Sequence, residues 1–188
     1  MIYTDRLILR PPEDGDAIAL NDAMNEVWDD LQMWMSWADD GQNTLRATRD
    51  YIALTQQQAK EGSLPLLGFC KQTAAFVVAT GLLLQEGTDD EFSTGYWVSR
   101  DFLGKGYATE ATNATIRYGF EVFKASKMHI EYYDGNDKSR NVIEKLGFDF
   151  TQTQINAHRR FYDGVIGDVH CYVMTDPAVL PPLDVHWN

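Results

Sequence analysis

Cysteine is scarce in these 188 residues: Cys70 and Cys171 are the only two, and both lie in apolar, strand-like surroundings. They lack metal-type spacing, and neither has an adjacent candidate base. They read as reduced core residues, which argues against a disulfide framework, a thiolate metal site or a cysteine nucleophile. Long hydrophobic runs are missing as well; none approaches the roughly 20 apolar residues that cross a bilayer, so no membrane partner is expected. Residues Met1 to Leu7 show no basic stretch leading into an apolar one, and the chain reads as cytoplasmic. Basic residues are few. Sixteen Lys and Arg against 28 Asp and Glu leave a net charge of −12, which argues against a general nucleic-acid partner and permits a cationic substrate. The four histidines, His129, His158, His170 and His186, are scattered, so no metal is expected and each reads as structural or exposed.

What is present describes a folded globular chain, with 44% apolar and 12% aromatic residues and the length of one ordinary domain. Arg6 to Arg10 alternates charge with apolar residues before Pro11-Pro12, which predicts a first strand. An acidic, Ala-rich helix start follows over Asp14 to Asn25, then an unusually aromatic stretch over Val27 to Trp37. A second helix is predicted over Leu45 to Lys60, with Thr44 as N-cap and Gly62 near its end. Leu66 to Cys70, Ala74 to Gln85 and Phe92 to Ser99 read as three strands with short polar connections, an antiparallel meander. A helix then carries Ala108, Thr112, Ile116, Phe120 and Phe123 on one face. After it come a strand at Met128 to Tyr133, a short helix at Asn136 to Lys145 stopped by Gly147, extended structure again over Phe148 to Thr151, and a closing hairpin. The hairpin pairs roughly Gln154 to Tyr162 with Asp168 to Thr175. The expectation is one α/β (α+β) domain over residues 1–176, in the order β-α-α-β-β-β-α-β-α-β-β, with a mostly antiparallel sheet. Residues 177–188 read as an irregular tail.

The segment from Gly95 to Ala111 carries the chemistry. An aromatic strand runs into a short turn holding Gly104 and Gly106, and a long helix starts at once. That order aims bare backbone N–H groups at one spot at the positive end of a helix dipole, the geometry that holds a phosphate or pyrophosphate. Glycines that merely satisfy a tight turn account for it equally well. The turn opens no βαβ unit and lacks a third glycine, which argues against a dinucleotide fold, and no Gly-Lys-Ser/Thr phosphate loop is present. Arg100, Lys105, Lys138 and Arg140 give this region a local positive charge on an acidic chain.

Several motifs stand in one order along the chain. They are Thr4 to Pro11, Trp34-Met35-Ser36-Trp37, Gly95-Tyr96-Trp97-Val98, Gly104 to Ala111, Asn136-Asp137-Lys138-Ser139, Glu144 to Phe148, and the late Asp163-Gly164…Asp168. In this the chain resembles the GCN5-related N-acetyltransferase (GNAT) family. Within it the chain is most similar to the branch that acetylates ribosomal-protein N-termini. The resemblance implies a single GNAT-type domain and an acetyl-CoA-dependent transfer to a primary amine, most simply a protein N-terminus. A small amine (an antibiotic, polyamine or aminoacyl compound) and a non-catalytic acetyl-CoA-binding module are the alternatives. A homodimer stays open.

The resemblance also implies site residues. The family's acetyl-CoA motif falls on Leu103, Gly104, Lys105, Gly106, Tyr107 and Ala108; Gly106 and Ala108 match it, and Leu103 replaces the usual polar lead residue. Backbone groups of Trp97, Val98 and Ser99 would hold the pantetheine arm where that strand splays from the next one. The backbone near Val98 is the candidate oxyanion donor. Asn136 would hydrogen-bond the pantetheine arm and Ser139 would stand near the sulfur, both as catalytic candidates. Both also suit plain N-capping. Ile143 stands where many relatives carry a Tyr as the thiol's acid, and Ser139 is the substitute. Glu91 and Ser93 lie where some relatives carry a carboxylate base. Trp34 and Trp37 are the acceptor-side candidates, facing the Tyr162-Asp163-Gly164 turn.

Overall fold

In the computed structural model all 188 residues are described. The first two strands, β1 (Ile2–Thr4) and β2 (Leu7–Arg10), lead into three helices, α1 (Ala17–Glu26), α2 (Trp28–Trp34) and α3 (Leu45–Lys60). The meander follows as β3 (Leu64–Cys70), β4 (Phe76–Leu84) and β5 (Glu91–Val98). After it come α4 (Tyr107–Glu121), β6 (Lys127–Tyr133), α5 (Asp137–Leu146), β7 (Asp149–Arg159), β8 (Ile166–Met174) and β9 (Val185–Trp187). The strands form one nine-stranded sheet in the order β7-β8-β6-β5-β4-β3-β2-β1-β9. Every pairing is antiparallel except β5 with β6.

The sheet is covered on both faces. On one, α4 buries Ile116 against Leu82, Phe92 and Met128 and Ala111 and Ala114 against residues such as Leu9, Leu66 and Val78, and α5 adds Ile143 and Leu146. On the other, Leu20 of α1 and Ile52 of α3 pack over Leu67, Phe76 and Ala79, and Met24 and Leu31 form an adjoining cluster against Trp97. The central strand β4 is therefore buried on both sides along Phe76 to Ala79, which is why it reads as an apolar run rather than an alternation. Local signals set the helix ends. The Thr44 hydroxyl accepts the Ala47 N–H at 3.2 Å at the start of α3. At the end of α5, Gly147 takes φ +84 and the N–H groups of Gly147 and Phe148 return to Glu144 and Ile143.

Four elements differ from the sequence expectation, the first being a separate strand β1 ahead of the predicted one at Arg6 to Arg10. The aromatic stretch at Val27 to Trp37 folds as the separate short helix α2. The closing hairpin is longer, because β7 begins at Asp149 directly after α5. The tail is not irregular throughout. Val185–Trp187 adds β9 along β1, with the Trp187 ring edge-on to Tyr118 of α4 at 5.4 Å between centroids. A strand of three residues carries too little periodicity to announce itself; its partner edge on β1 specifies it.

Candidate functional site

The site is built around the place where two neighbouring strands part. Parallel pairing of β5 with β6 holds only over Glu91–Ser93 against Lys127–His129, although both strands continue well beyond. Past that root they diverge. Ser99 donates its N–H to the Val77 carbonyl at 2.9 Å, so alternation along β5 turns the N–H and C=O groups of Val98 and Tyr96 away from β4, into the gap.

At the open end of the gap lies the glycine turn. Ser99 donates its hydroxyl to the Phe76 carbonyl at 3.2 Å and accepts the Phe102 N–H at 3.0 Å, closing a single 3-10 turn over Arg100–Phe102. All its polar groups are thus engaged within the fold, and none faces the gap. Leu103 is half exposed. Gly104 and Gly106 take φ +70 and +81, the left-handed region that side chains disfavour, and α4 begins at Tyr107. None of the six backbone N–H groups from Gly104 to Thr109 has a partner within the chain. A Cβ added at Gly104 would meet nothing within 4 Å, and one at Gly106 only Arg6 Nη2 at 3.6 Å, so the concavity is open.

A strut that sequence reading missed holds this turn. Arg6 Nε donates to Glu110 Oε2 at 2.6 Å, and its Nη1 donates to the Lys105 carbonyl at 2.9 Å inside the turn. The guanidinium lies 4.0 Å from the centre of the Tyr107 ring. Glu110, in the first turn of α4, also accepts the Thr4 hydroxyl at 2.5 Å and the Arg6 N–H at 3.2 Å. The buried carboxylate thus ties the first two strands to the start of the helix, and its charge suits that end of the dipole. Lys105 Nζ folds back onto the Asp101 carbonyl at 2.7 Å.

Across the gap, Asn136 caps α5 by accepting the Ser139 N–H at 3.1 Å, which leaves its side-chain NH₂ without a partner in the chain. Tyr96 donates its hydroxyl to Ser139 Oγ at 3.3 Å. Burial pushes the Tyr96 phenol up to about 12, only partly opposed by the Ser139 contact, so it stays protonated. Ile143 is fully buried in the core beneath α5 and faces no cleft. The phenol at this place comes from β5 instead, a substitution invisible to motif alignment.

Trp97, Tyr96, Asn136, Ser139, Trp34 and Trp37 all line one cleft of about 1110 Å³, and the Trp34 ring lies close to Gly135, beside Asn136: a Cβ there would meet it at 3.6 Å. The structure therefore brings these sequence candidates to one cavity, while Leu103 to Ala108 lie outside it at the mouth of the gap. The Trp97 ring packs on Phe76 at 5.3 Å, and Trp37 lies 6.4 Å from Trp28. The tip of the β7–β8 hairpin closes one side. The N–H groups of Phe161 and Tyr162 donate to the Gln32 carbonyl at 3.0 and 3.2 Å, and Arg160, paired with Asp163, reaches over the Trp34 ring. No Lys or Arg lines the cleft, and its carboxylates are Asp50 and Glu131. Desolvation between the cleft walls pushes the Glu131 carboxyl above its ordinary range, against the pull of the Tyr133 hydroxyl.

Neither suggested base is free. Glu91 accepts from Lys127 Nζ and bonds His129 Nε2, each at 2.9 Å, and these contacts hold its carboxyl below the ordinary range. Ser93 Oγ accepts from Gln85 Nε2 at 3.0 Å. Of the histidines, only His129 lines the cleft. His158 is buried against the Tyr133 ring, His170 stacks on Tyr132 and His186 stacks on Tyr3. No cluster of His, Cys, Asp or Glu could hold a metal ion, both cysteines are free, and no helix is long and apolar enough to cross a membrane.

Comparison with known proteins agrees with this geometry. The acetyltransferase (GNAT) domain family matches residues 6–149. A Bacillus subtilis protein of uncharacterised function, YkkB, is 29% identical over 154 residues, covering 81% of this chain and 87% of the relative. The ribosomal protein uS5-alanine N-acetyltransferase of Escherichia coli is 24% identical over 150 residues, covering 79% of this chain and 77% of the relative. Among solved structures, the RimL ribosomal-protein α-N-acetyltransferase with coenzyme A superposes with a TM-score of 0.83 at 19% identity, over 93% of this chain and 97% of the other.

Proposed function

This chain belongs to the GNAT acetyltransferase family, and from that premise we propose that its acceptor is the α-amine of a protein N-terminus. As a member of the family it is an acetyl-CoA-dependent N-acetyltransferase. The observation that carries the reading is one continuous path. It runs from six unpartnered N–H groups at the start of α4, along the gap between β5 and β6, to the Tyr96–Ser139 pair and the acidic cleft.

The residues fit the co-substrate. Backbone N–H groups on left-handed glycines at a helix N-terminus, with no side chain filling the concavity, suit a pyrophosphate. Leu103 therefore costs little, since backbone rather than side chains supplies the donors. The gap-facing backbone of Val98 suits the amide groups of the pantetheine arm, and its N–H suits the thioester oxygen as charge develops there. Ser139 accepts from Tyr96, which leaves its own hydroxyl hydrogen to donate to the departing sulfur. The protonated phenol behind it keeps that polarity fixed.

On the acceptor side, Glu131 has no Lys or Arg partner and Asp50 has only the exposed Arg46, 3.9 Å away, so the cleft carboxylates attract an ammonium, and Trp37 offers an aromatic face to it while Arg160 lies over Trp34. An α-amine, with a pKa of about 8, yields its attacking neutral form near pH 7 far more readily than a lysine at about 10. The Escherichia coli relative and the RimL structure are named for acetylating ribosomal proteins, and an open cleft beside the hairpin tip has room for the first residues of an extended chain.

Calorimetry with acetyl-CoA followed by thiol release over a panel of N-terminal peptides, polyamines and aminoacyl compounds tests this. Peptides with free α-amines should be the best acceptors, and N-blocked versions inert. Faster turnover of a small amine would move the acceptor to that class, and binding without any turnover would identify a non-catalytic module.

A further inference from the structure

The gap narrows from the glycine turn toward its root, and the side chains at the root are not those of an ordinary strand pair. His129 stands opposite Ser93 on the last paired rung, lines the cleft and is partly exposed. Its Nε2 lies 2.9 Å from Glu91 Oε2, and the other oxygen of Glu91 is held by Lys127 Nζ at 2.9 Å. The contacts of Glu91 hold its carboxyl below the ordinary range and it can only accept, so Nε2 is the donor of this bond, which in the neutral ring leaves Nδ1 as the acceptor. A carboxylate fixing one imidazole nitrogen so that the other can take a proton is the arrangement of a general base. The neighbouring titratable groups are few: Lys127 and Glu131 on β6, Glu91 on β5, Cys171 on β8, and Asp50 and Tyr51 across the cleft on α3.

Resting on the acetyl-transfer reading above, we propose that His129 is the catalytic base that deprotonates the acceptor ammonium, and that Glu91 is the residue that positions it. The ammonium gives one proton to His129 Nδ1, which passes it to solvent through the open cleft. The freed lone pair forms the C–N bond to the acetyl carbon. The C–S bond breaks with its electron pair on sulfur, and the second nitrogen proton ends on that sulfur through Ser139.

Steady-state kinetics on His129→Ala, Glu91→Gln and the double variant, with acetyl-CoA affinity measured alongside, tests this. His129→Ala should bind acetyl-CoA as the wild type does and lose about 10²–10⁴-fold in kcat. Added imidazole should restore part of that loss, which a merely structural role would not allow. Glu91→Gln should lower kcat more than it changes KM in the wild-type background and have no further effect beside His129→Ala. Undiminished turnover in His129→Ala, or loss without imidazole rescue, overturns the assignment. Failure of the wild-type chain to bind acetyl-CoA would instead overturn acetyl transfer itself, and the base with it.

Discussion

Gly106→Ala isolates the backbone contribution to the proposed pyrophosphate cradle. The residue sits at φ +81, and its new Cβ would meet only Arg6 Nη2, at an ordinary contact distance of 3.6 Å. Sterics therefore add almost nothing, and the cost is that of a left-handed conformation in an L-residue, about 1–2 kcal/mol. The turn has two responses. It can keep its shape, in which case the loss appears in stability. It can relax to negative φ, in which case the N–H groups from Gly104 to Thr109 no longer converge. The turn carries no core side chain, so relaxation is the easier course, and the loss should appear in binding. At 1.4 kcal/mol per tenfold, acetyl-CoA affinity should fall about 5- to 30-fold. Calorimetry with acetyl-CoA and with S-acetylpantetheine, which lacks the diphosphate, separates the causes: only the first should weaken. Gly15→Ala, whose Cβ meets nothing within 4 Å and whose backbone is not left-handed, serves as the control. Unchanged acetyl-CoA affinity in Gly106→Ala, or equal losses for both ligands, would refute the assignment.

Ser139→Ala should lower kcat more than it weakens acetyl-CoA binding, and thiol-release kinetics beside calorimetry reads both; equal losses would make Ser139 a capping residue only. Tyr96→Phe removes the donor behind Ser139 and should lower kcat by a smaller factor, with fold and cofactor affinity retained. Glu131→Gln should raise KM for cationic acceptors while leaving acetyl-CoA affinity alone, as a comparison of free and charge-neutral acceptors would show. Asp16 accepts from both terminal nitrogens of Arg10 at 2.7 Å and from the Glu13 N–H. Desolvation pushes its carboxyl up, but these bonds outweigh it and hold it below the usual range. Their stabilisation is therefore present above the unfolded carboxylate pKa and lost as pH falls through the lower folded one. Asp16→Asn should cost about 2–3 kcal/mol at neutral pH and flatten the acid limb of the stability profile, by denaturant melts.

The parts of the site that could be read from the sequence are the local ones. Gly104-x-Gly106 before an amphipathic helix, and Asn136 before another, place their groups within one turn of chain, so spacing carries the geometry. The meander likewise followed from three apolar runs with short polar connections. Glu110 pairs with Arg6 across 104 residues, Tyr96 meets Ser139 across 43, and His129 meets Glu91 across 38. Those pairs exist because the chain order brings β5 beside β6, and β1 and β2 beside α4. No window along the sequence contains both members. Ser99 shows the converse: the family resemblance implied a ligand contact for its backbone, yet its bonds to Phe76, Val77 and Phe102 hold the turn itself. The histidines looked alike in sequence, and only strand register separates His129 from three that stack on aromatic rings.

The central claim is acetyl transfer to an α-amine in this cleft, and mass spectrometry of an acceptor peptide incubated with the chain and acetyl-CoA tests it most directly. A single added acetyl group on the N-terminal nitrogen, none on an internal lysine, and an equal amount of free thiol are expected. Acetyl-CoA left intact in the presence of every amine, or an acetyl group placed only on lysine side chains, would contradict it.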